Sequence, residues 1–382
     1  MTRARDLGII IGRLRTGPHN AITDVAGVAV GQATLISGSG RRVRGEGPVR
    51  TGVTIVIPYD GDVWSDAVFA GVNILSGVTH PTGLEFLREG GKLCGPIAMT
   101  SSWSVGTVCD ALVAHGITER GSLGFGTPPV VLETWDGILN DVEGQHVHAE
   151  HVSEAFAAAR SGAVAEGNVG GGTGMICHGF KGGIGTASRV TDARIGGYTL
   201  GVLVQANHGH RERLSINGVP VGEHFPVSDV PIPSGAAQLW GASGGLYPSR
   251  KLGSILVVVA TDAPLLPTQC NRLASRAMLG VGRTGGAGEN WSGDLCIAFS
   301  TANRGLSSDW MAKSAQATVS TVQMLADPVI DSLFYAAIEA TEEAIVNALV
   351  AAETMTGGDD VVAYALPHDE LMTVMRAHEA RS

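Results

Sequence analysis

No stretch of the 382 residues approaches 18 consecutive apolar side chains, so no membrane-crossing helix is expected. The opening MTRARDLGIIIGRLR holds only a short apolar run between arginines, too short for the core of a secretion signal. The 5 cysteines (Cys94, Cys109, Cys177, Cys270, Cys296) are scattered, odd in number and never paired as CxxC, which argues against a disulfide framework and against a zinc ribbon. Charge is also scarce. Only 16% of residues are charged and the formal net charge is −10, which disfavours nucleic acid as a partner. Basic residues cluster once, in RRVRGEGPVR at 41–50, where a solvated loop is expected. These absences lead to the expectation of a soluble, cytoplasmic protein with no membrane and no nucleic-acid partner.

Apolar side chains are plentiful at 44%, enough for a sizeable core. Glycine is abundant at 54 residues and spread along the chain, which points to tight turns and close backbone approaches. The length suits either one large core or two fused halves. Short β-branched runs bounded by Gly, Asp or Asn predict strands at 27–36, 52–59, 197–206, 253–261 and 294–301. Helices are predicted at 151–161, 265–279 and 328–352; in the last, Val329, Leu333, Ala337, Ile338, Ile345 and Leu349 recur at helical spacing behind Asp327 and Pro328. Several strands are apolar along their whole length, so both faces should be covered. An α/β sandwich with helices outside sheets fits. From about 220 to 252 the chain is rich in Gly, Pro and Ser and reads as a long exposed connection.

That connection ends at Gly253-Ser254, where a small nucleophile opens a buried strand. A serine hydroxyl needs a base. Were the Gly253-Ser254 bond cleaved, the new α-amine, with a reference pKa of about 7.7–8.0, could serve. The other reading is a loop that simply ends at glycine. Ser292 and Asp294 stand two apart in SGD, so on a strand they share a face and can relay protons; an Asp capping a strand entry is the alternative. Asn207 in QANHG could offer amide donors to an oxyanion, or could be a turn residue before glycine. Glu133 and Trp135 in ETWDG could seat a substrate ammonium against an aromatic wall, although Asp136-Gly137 also reads as a turn.

GNVGGGTGM at 167–175 lacks both the GK[ST] ending of a P-loop and the GxGxxG spacing, so a tight backbone turn near the site is expected instead of a nucleotide cradle. The pairs His146/His148, with His151 nearby, and His208/His210 show no cysteine or carboxylate set that completes a metal site, and exposed histidines are expected. No metal and no cofactor are predicted.

In chain order these segments resemble the self-processing aminopeptidases of the L-aminopeptidase/D-esterase and β-peptidyl aminopeptidase family. The resemblance runs from AITDVAGVAVG (21–31) and RTGVTIVIP (50–58), through ETWDGILND (133–141) and GNVGGGTGM, to LGSILVVVATDAPLLP (252–267) and SGDLCIAFSTAN (292–303). It implies a four-layer αββα sandwich, like that of N-terminal nucleophile hydrolases with different connectivity. It also implies a single domain over 1–382, cut autocatalytically into an α chain 1–253 and a β chain 254–382. Ser254 then matches the nucleophile, Ser292 and Asp294 its partners, Asn207 the oxyanion donor, Glu133 the amino-group anchor and Trp135 a pocket residue. Asp294 departs from the glutamate of the β-peptidyl members by one methylene. Short peptides or aminoacyl amides, including β- or D-amino acid residues, are the implied substrates, and homo-oligomers of α/β heterodimers the implied assembly. Two alternatives stand beside this. One is acyl transfer of the ornithine acetyltransferase kind, which uses a processed threonine. The other is a non-enzymatic binding or assembly protein with an intact chain.

Overall fold

The computed structural model describes residues 1–121, 128–233, 253–307 and 319–380. The part of the expected connection beyond 233, up to 252, lies outside the described residues. A small sheet contains β1 (Ala29–Ser37) and β2 (Val49–Ile57). The chain then enters β3 (Asp66–Gly77), helix α1 (Leu84–Gly90) and the short β4 (Lys92–Leu93) before returning to the small sheet as β5 (Ile97–Ser101). Helix α2 (Val105–Arg120) leads to β6 (Val130–Thr134), which completes the order β1-β2-β5-β6, and helix α3 (Ala149–Ala157) follows.

The large sheet takes its remaining strands from the second half. After the short hairpin of β7 (Ile176–Cys177) and β8 (Phe180–Lys181) come β9 (Gly183–Val190), β10 (Thr199–Asn207) and β11 (Ser254–Thr261). Helix α4 (Pro267–Arg283) crosses to β12 (Gly293–Ser300), and β13 (Leu306–Ser307) closes the order β13-β3-β12-β11-β10-β9, with β4 beside β3. The pairs β5/β6 and β11/β12 are parallel and the other neighbours antiparallel. Helix α5 (Asp331–Val350) packs with α4 on the large sheet, while α2 and α3 cover the small one. The result is the four-layer αββα sandwich. A last helix, α6 (His368–Glu379), follows a small hairpin.

Alternation along β11 explains its unbroken apolar run. Leu256, Val258 and Ala260 join a core with Val53, Ile55, Met99 and Leu132 of the small sheet, so they lie between the sheets. Ile255, Val257 and Val259 belong to the second core, with Ala344, Ile345 and Leu349 of α5. Both faces are covered, as the sequence led one to expect. Glycine sets how closely the helix layers approach. A Cβ at Gly31 of β1 would lie 1.8 Å from the Ala155 carbonyl oxygen of α3, and one at Gly185 of β9 would lie 1.9 Å from the Ala344 oxygen of α5. Any side chain there would push a helix off its sheet.

The predicted elements lie within a few residues of the observed ones, and two expectations are corrected. The basic run at 41–50 is not wholly a solvated loop: Arg50 lies in β2 and is buried, its guanidinium donating to the carbonyls of Ser37 (2.8 Å), Gly38 (3.0 Å), Val49 (2.7 Å) and Thr356 (2.8 Å). The histidines are not uniformly exposed: His208, the residue after β10, is buried against Cys177 and His178 of the β7–β8 hairpin. Among the described residues no helix is long and apolar enough to cross a membrane.

Candidate active site

The site forms at one end of the layer between the sheets. Ser254 opens β11 directly opposite Asn207, the last residue of β10, and two-residue alternation turns Ser254 to the same side as Leu256, between the sheets. Its side chain is buried, and its Oγ accepts from the Gly293 backbone N–H at 3.3 Å. The same N–H also points at the Gly253 carbonyl oxygen, again at 3.3 Å. One donor thus faces both the hydroxyl and the carbonyl that precedes it.

Gly293 is central to SGD, and its neighbours fall as the spacing suggested. Ser292 Oγ donates to Asp294 Oδ1 at 2.5 Å, and the Ile255 N–H donates to the same oxygen at 3.0 Å. Asp294, although one methylene short of glutamate, therefore reaches the residue that follows Ser254. Burial pushes its carboxyl up to about 6; the two hydrogen bonds oppose that rise, and the nearby Glu289 carboxylate adds to it. A carboxylate of this kind changes protonation near neutrality, which suits proton transfer.

Asn207 is held in a fixed orientation. Its Oδ1 accepts from the Ile176 N–H at 2.8 Å and its Nδ2 donates to the Trp135 carbonyl at 2.9 Å, which leaves one amide hydrogen for another acceptor. The glycine-rich segment makes this possible. It forms the expected tight turn, a buried 3₁₀ turn at Gly170–Gly172, where a Cβ at Gly171 would lie 2.1 Å from Gln205 Oε1 and 2.7 Å from the Met99 carbonyl oxygen. Lys181 braces the turn's exit by donating to the carbonyls of Met175 (2.9 Å) and Gly182 (2.8 Å).

Glu133 comes from β6 of the small sheet and is 3% exposed. Thr79 Oγ1 donates to its Oε1 at 2.6 Å, the His80 N–H donates to the same oxygen at 3.3 Å, and Ser102 Oγ donates to Oε2. Thr79 ties this carboxylate to the nucleophile, because a Cβ at Gly293 would meet Thr79 Cβ at 2.7 Å and Ser254 Oγ at 3.3 Å. Trp135 stands edge-on to Trp103, with ring centres 6.0 Å apart, and Trp103 lies 5.8 Å from the His80 ring. Asp136 is a turn residue and also a buried anchor. It accepts from Ser101 Oγ at 2.8 Å and from Asn140 Nδ2 at 3.1 Å, and burial pushes it up to about 6.

All six expected residues (Ser254, Ser292, Asp294, Asn207, Glu133, Trp135) thus gather at one end of the sandwich, beside a cleft lined by Ile138, Ile176, Asn207, His208, Gly253 and Glu289. Sequence reasoning missed Thr79, His80, Ser102 and Trp103, which lie in THPTG and SSWS. Neither segment carries a spacing that signals chemistry. It also missed the Gly293 N–H, because a backbone donor leaves no residue-type signature. Nor did it find a cysteine for the His208 pair, yet the fold supplies one: ligand atoms of Cys177, His178 and His208 lie within 4.8 Å of one another. A thiolate with two imidazoles is a donor set that zinc accepts. In this fold Cys177 Sγ meets His208 Nδ1 at 3.7 Å and His178 Nδ1 meets the His210 carbonyl at 3.0 Å, so both rings have protein contacts.

Comparison with known proteins places this geometry. Residues 20–363 match peptidase family S58. Over 376 residues the chain is 47% identical to the beta-peptidyl aminopeptidase BapA of Sphingosinicella microcystinivorans, covering 98% of this chain and 92% of that one. A solved beta-aminopeptidase from Burkholderia sp. superposes with a TM-score of 0.88 at 48% identity, covering 98% of this chain and 99% of the other. The l-aminopeptidase d-ala-esterase/amidase of Ochrobactrum anthropi, described as a prototype for the serine aminopeptidases and a variant of the Ntn hydrolase fold, superposes with a TM-score of 0.86 at 42% identity over 99% of both chains.

Proposed function

The chain belongs to peptidase family S58 and is an aminopeptidase of the serine type, and from that premise we propose that Ser254, freed by cleavage of its own preceding bond, is the nucleophile. The observation that carries this reading is the Gly293 N–H, 3.3 Å from both Ser254 Oγ and the Gly253 carbonyl oxygen. A donor so placed can stabilise charge on the carbonyl as the adjacent hydroxyl attacks it. Ser254 Oγ adds to the Gly253 carbonyl carbon, the C–N bond breaks, and the amine of Ser254 leaves with a proton. Water then hydrolyses the ester and gives chains 1–253 and 254–382.

In the mature site the α-amine of Ser254 takes the hydroxyl proton as Oγ attacks the carbonyl of a substrate's first residue. The Ser292–Asp294 pair holds and exchanges protons beside it. The remaining amide hydrogen of Asn207 and the Gly293 N–H face the oxyanion. Glu133, with Trp135 at its side, binds the substrate ammonium and restricts the enzyme to free amino termini. Water deacylates Ser254. The names of the relatives support β-amino acid residues among the substrates, with L- and D-residues as the other outcome of assay. They are all aminopeptidases, which favours hydrolysis over acyl transfer. A single domain, assembly as homo-oligomers of processed heterodimers and a cytoplasmic location belong to the same proposal.

The test is Ser254→Ala, read by denaturing electrophoresis and hydrolysis of β-alanyl-p-nitroanilide. We expect an intact chain with activity reduced at least about a thousandfold, as for loss of a nucleophile acting with its base. Normal processing in that variant would assign the nucleophile elsewhere.

A further inference from the structure

We propose that His80 is a second acceptor for the substrate's ammonium group and completes, with Glu133, a two-point amine seat. This rests on the reading of Glu133 as the amine anchor and extends it to a residue outside the expected set.

The tautomer of His80 is fixed by its partner. His80 Nε2 lies 2.8 Å from the Ser102 carbonyl oxygen, which can only accept, so Nε2 carries the proton. In the neutral ring Nδ1 is then a bare acceptor. It faces Glu133 Oε1 at 3.6 Å, so in this neutral form two acceptors confront each other, whereas a protonated ring pairs with the carboxylate. A protonated amine resolves that confrontation. Its tetrahedral N–H groups can be shared between Oε1 and Nδ1, and its charge is balanced by the carboxylate.

Exposure agrees with this assignment. Glu133 is buried under Thr79, the His80 backbone and Ser102, whereas the His80 side chain is 52% exposed and lies beside Trp103 at the open edge. An amine entering from solvent would meet the imidazole and the aromatic rim before it reaches the carboxylate. The seat is also at a fixed place relative to the nucleophile. The residue before His80 is Thr79, whose Cβ would lie 2.7 Å from a Cβ on Gly293, the residue that contacts Ser254 Oγ. His80 therefore contributes to how far the amine stands from the attacked carbonyl, the dimension in which α- and β-amino acid residues differ.

The test compares β-alanyl-p-nitroanilide with its hydroxyl analogue, 3-hydroxypropanoyl-p-nitroanilide, in the wild type and in His80→Phe, His80→Gln and Glu133→Gln. His80→Phe keeps the ring and removes the acceptor. It should raise KM for the amine substrate about tenfold, the scale of one hydrogen bond to a charged group, with kcat within about threefold. KM for the hydroxyl analogue should change little, and His80→Gln, which offers an amide oxygen, should recover part of the loss. Equal changes for both substrates, a joint fall of kcat and self-cleavage, or no change would each overturn the assignment. Glu133→Gln separates the two claims. If it abolishes amine preference while His80→Phe leaves that preference intact, His80 alone is wrong; if it leaves the preference intact, the amine-anchor reading falls and takes the two-point seat with it.

Discussion

Two buried carboxylates in this molecule have opposite surroundings. Glu343, in α5, accepts from Arg5 Nε at 2.7 Å, Arg189 Nη2 at 2.7 Å and Asn20 Nδ2 at 2.6 Å. Burial alone would raise its pKa, but the two guanidiniums and the amide hold it below the ordinary carboxylate value. Asp294 has a hydroxyl, a backbone amide and another carboxylate as neighbours, with no cation among the partners that set its pKa, and is pushed up to about 6. The first arrangement ties the N-terminal segment to the helix layer and has no titration near neutrality. The second leaves a proton poised beside the nucleophile. Complete pairing makes a buried charge structural; incomplete pairing leaves it available for chemistry.

Breaking the paired region should have the largest effect on stability. Glu343→Ala removes one of the two carboxylates that pair the fully buried Arg189, leaving Glu339 at 3.1 Å, and should cost about 3 kcal/mol in equilibrium unfolding, while the folded fraction keeps its kcat. In the wild type the contribution of Glu343 is present above its unfolded pKa and is lost as pH falls. Acid denaturation should therefore begin earlier in variants that weaken its partners.

At the catalytic end the expected losses are in rate. Asn207→Ala removes a donor already oriented by Ile176 and Trp135 and should lower kcat by about 10²–10³, or about 2.7–4 kcal/mol of transition-state stabilisation. Stopped assays at saturating substrate measure this directly. An unchanged kcat would remove Asn207 from the oxyanion site and assign that role to the Gly293 N–H.

The subtlest test is Asp294→Asn, where stability and activity should move in opposite directions. The folded carboxyl titrates near 6, above its ordinary value of 3.8. Its stabilising contribution is fully present below that ordinary value and is lost as pH rises through about 6. At pH 8 the wild type thus carries a cost that asparagine removes, a gain of about 1–3 kcal/mol in thermal or urea unfolding. If the carboxylate form supports proton transfer, wild-type kcat should rise with pH along a limb that the variant loses, placed below about 6 because the cleaved enzyme adds the Ser254 ammonium beside this carboxyl. A retained limb would assign the titration to another group.

The legibility of the sequence divides along similar lines. The strand predicted at 253–261 is Ser254–Thr261 and the helix predicted at 328–352 is Asp331–Val350, because both are buried and their apolar runs are unambiguous. Strand Asp66–Gly77 escapes the strand pattern; its later residues Ile74 and Leu75 are exposed, so no clean alternation marks it. Helix Val105–Arg120 escapes as well, since glycine, histidine and polar residues interrupt its apolar positions. Within the site, Ser292 and Asp294 are visible because strand spacing relates them locally, and Ser254 because it opens an apolar run. The contact of Glu133 with Thr79 and His80 joins segments far apart in the chain through the packing of the two sheets, and its contact with Ser102 comes from the pairing of β5 with β6 inside the small sheet. The burial of His208 is hidden for a related reason: the residues that cover it, Cys177 and His178, lie about 30 positions earlier in the chain.

The central claim is that Gly253-Ser254 is a bond made to be broken, and it is tested most directly by N-terminal sequencing of the purified wild-type protein after denaturing electrophoresis. The account predicts two chains, one of them beginning Ser-Ile-Leu-Val from Ser254. A single intact chain that still hydrolyses β-alanyl-p-nitroanilide would contradict it.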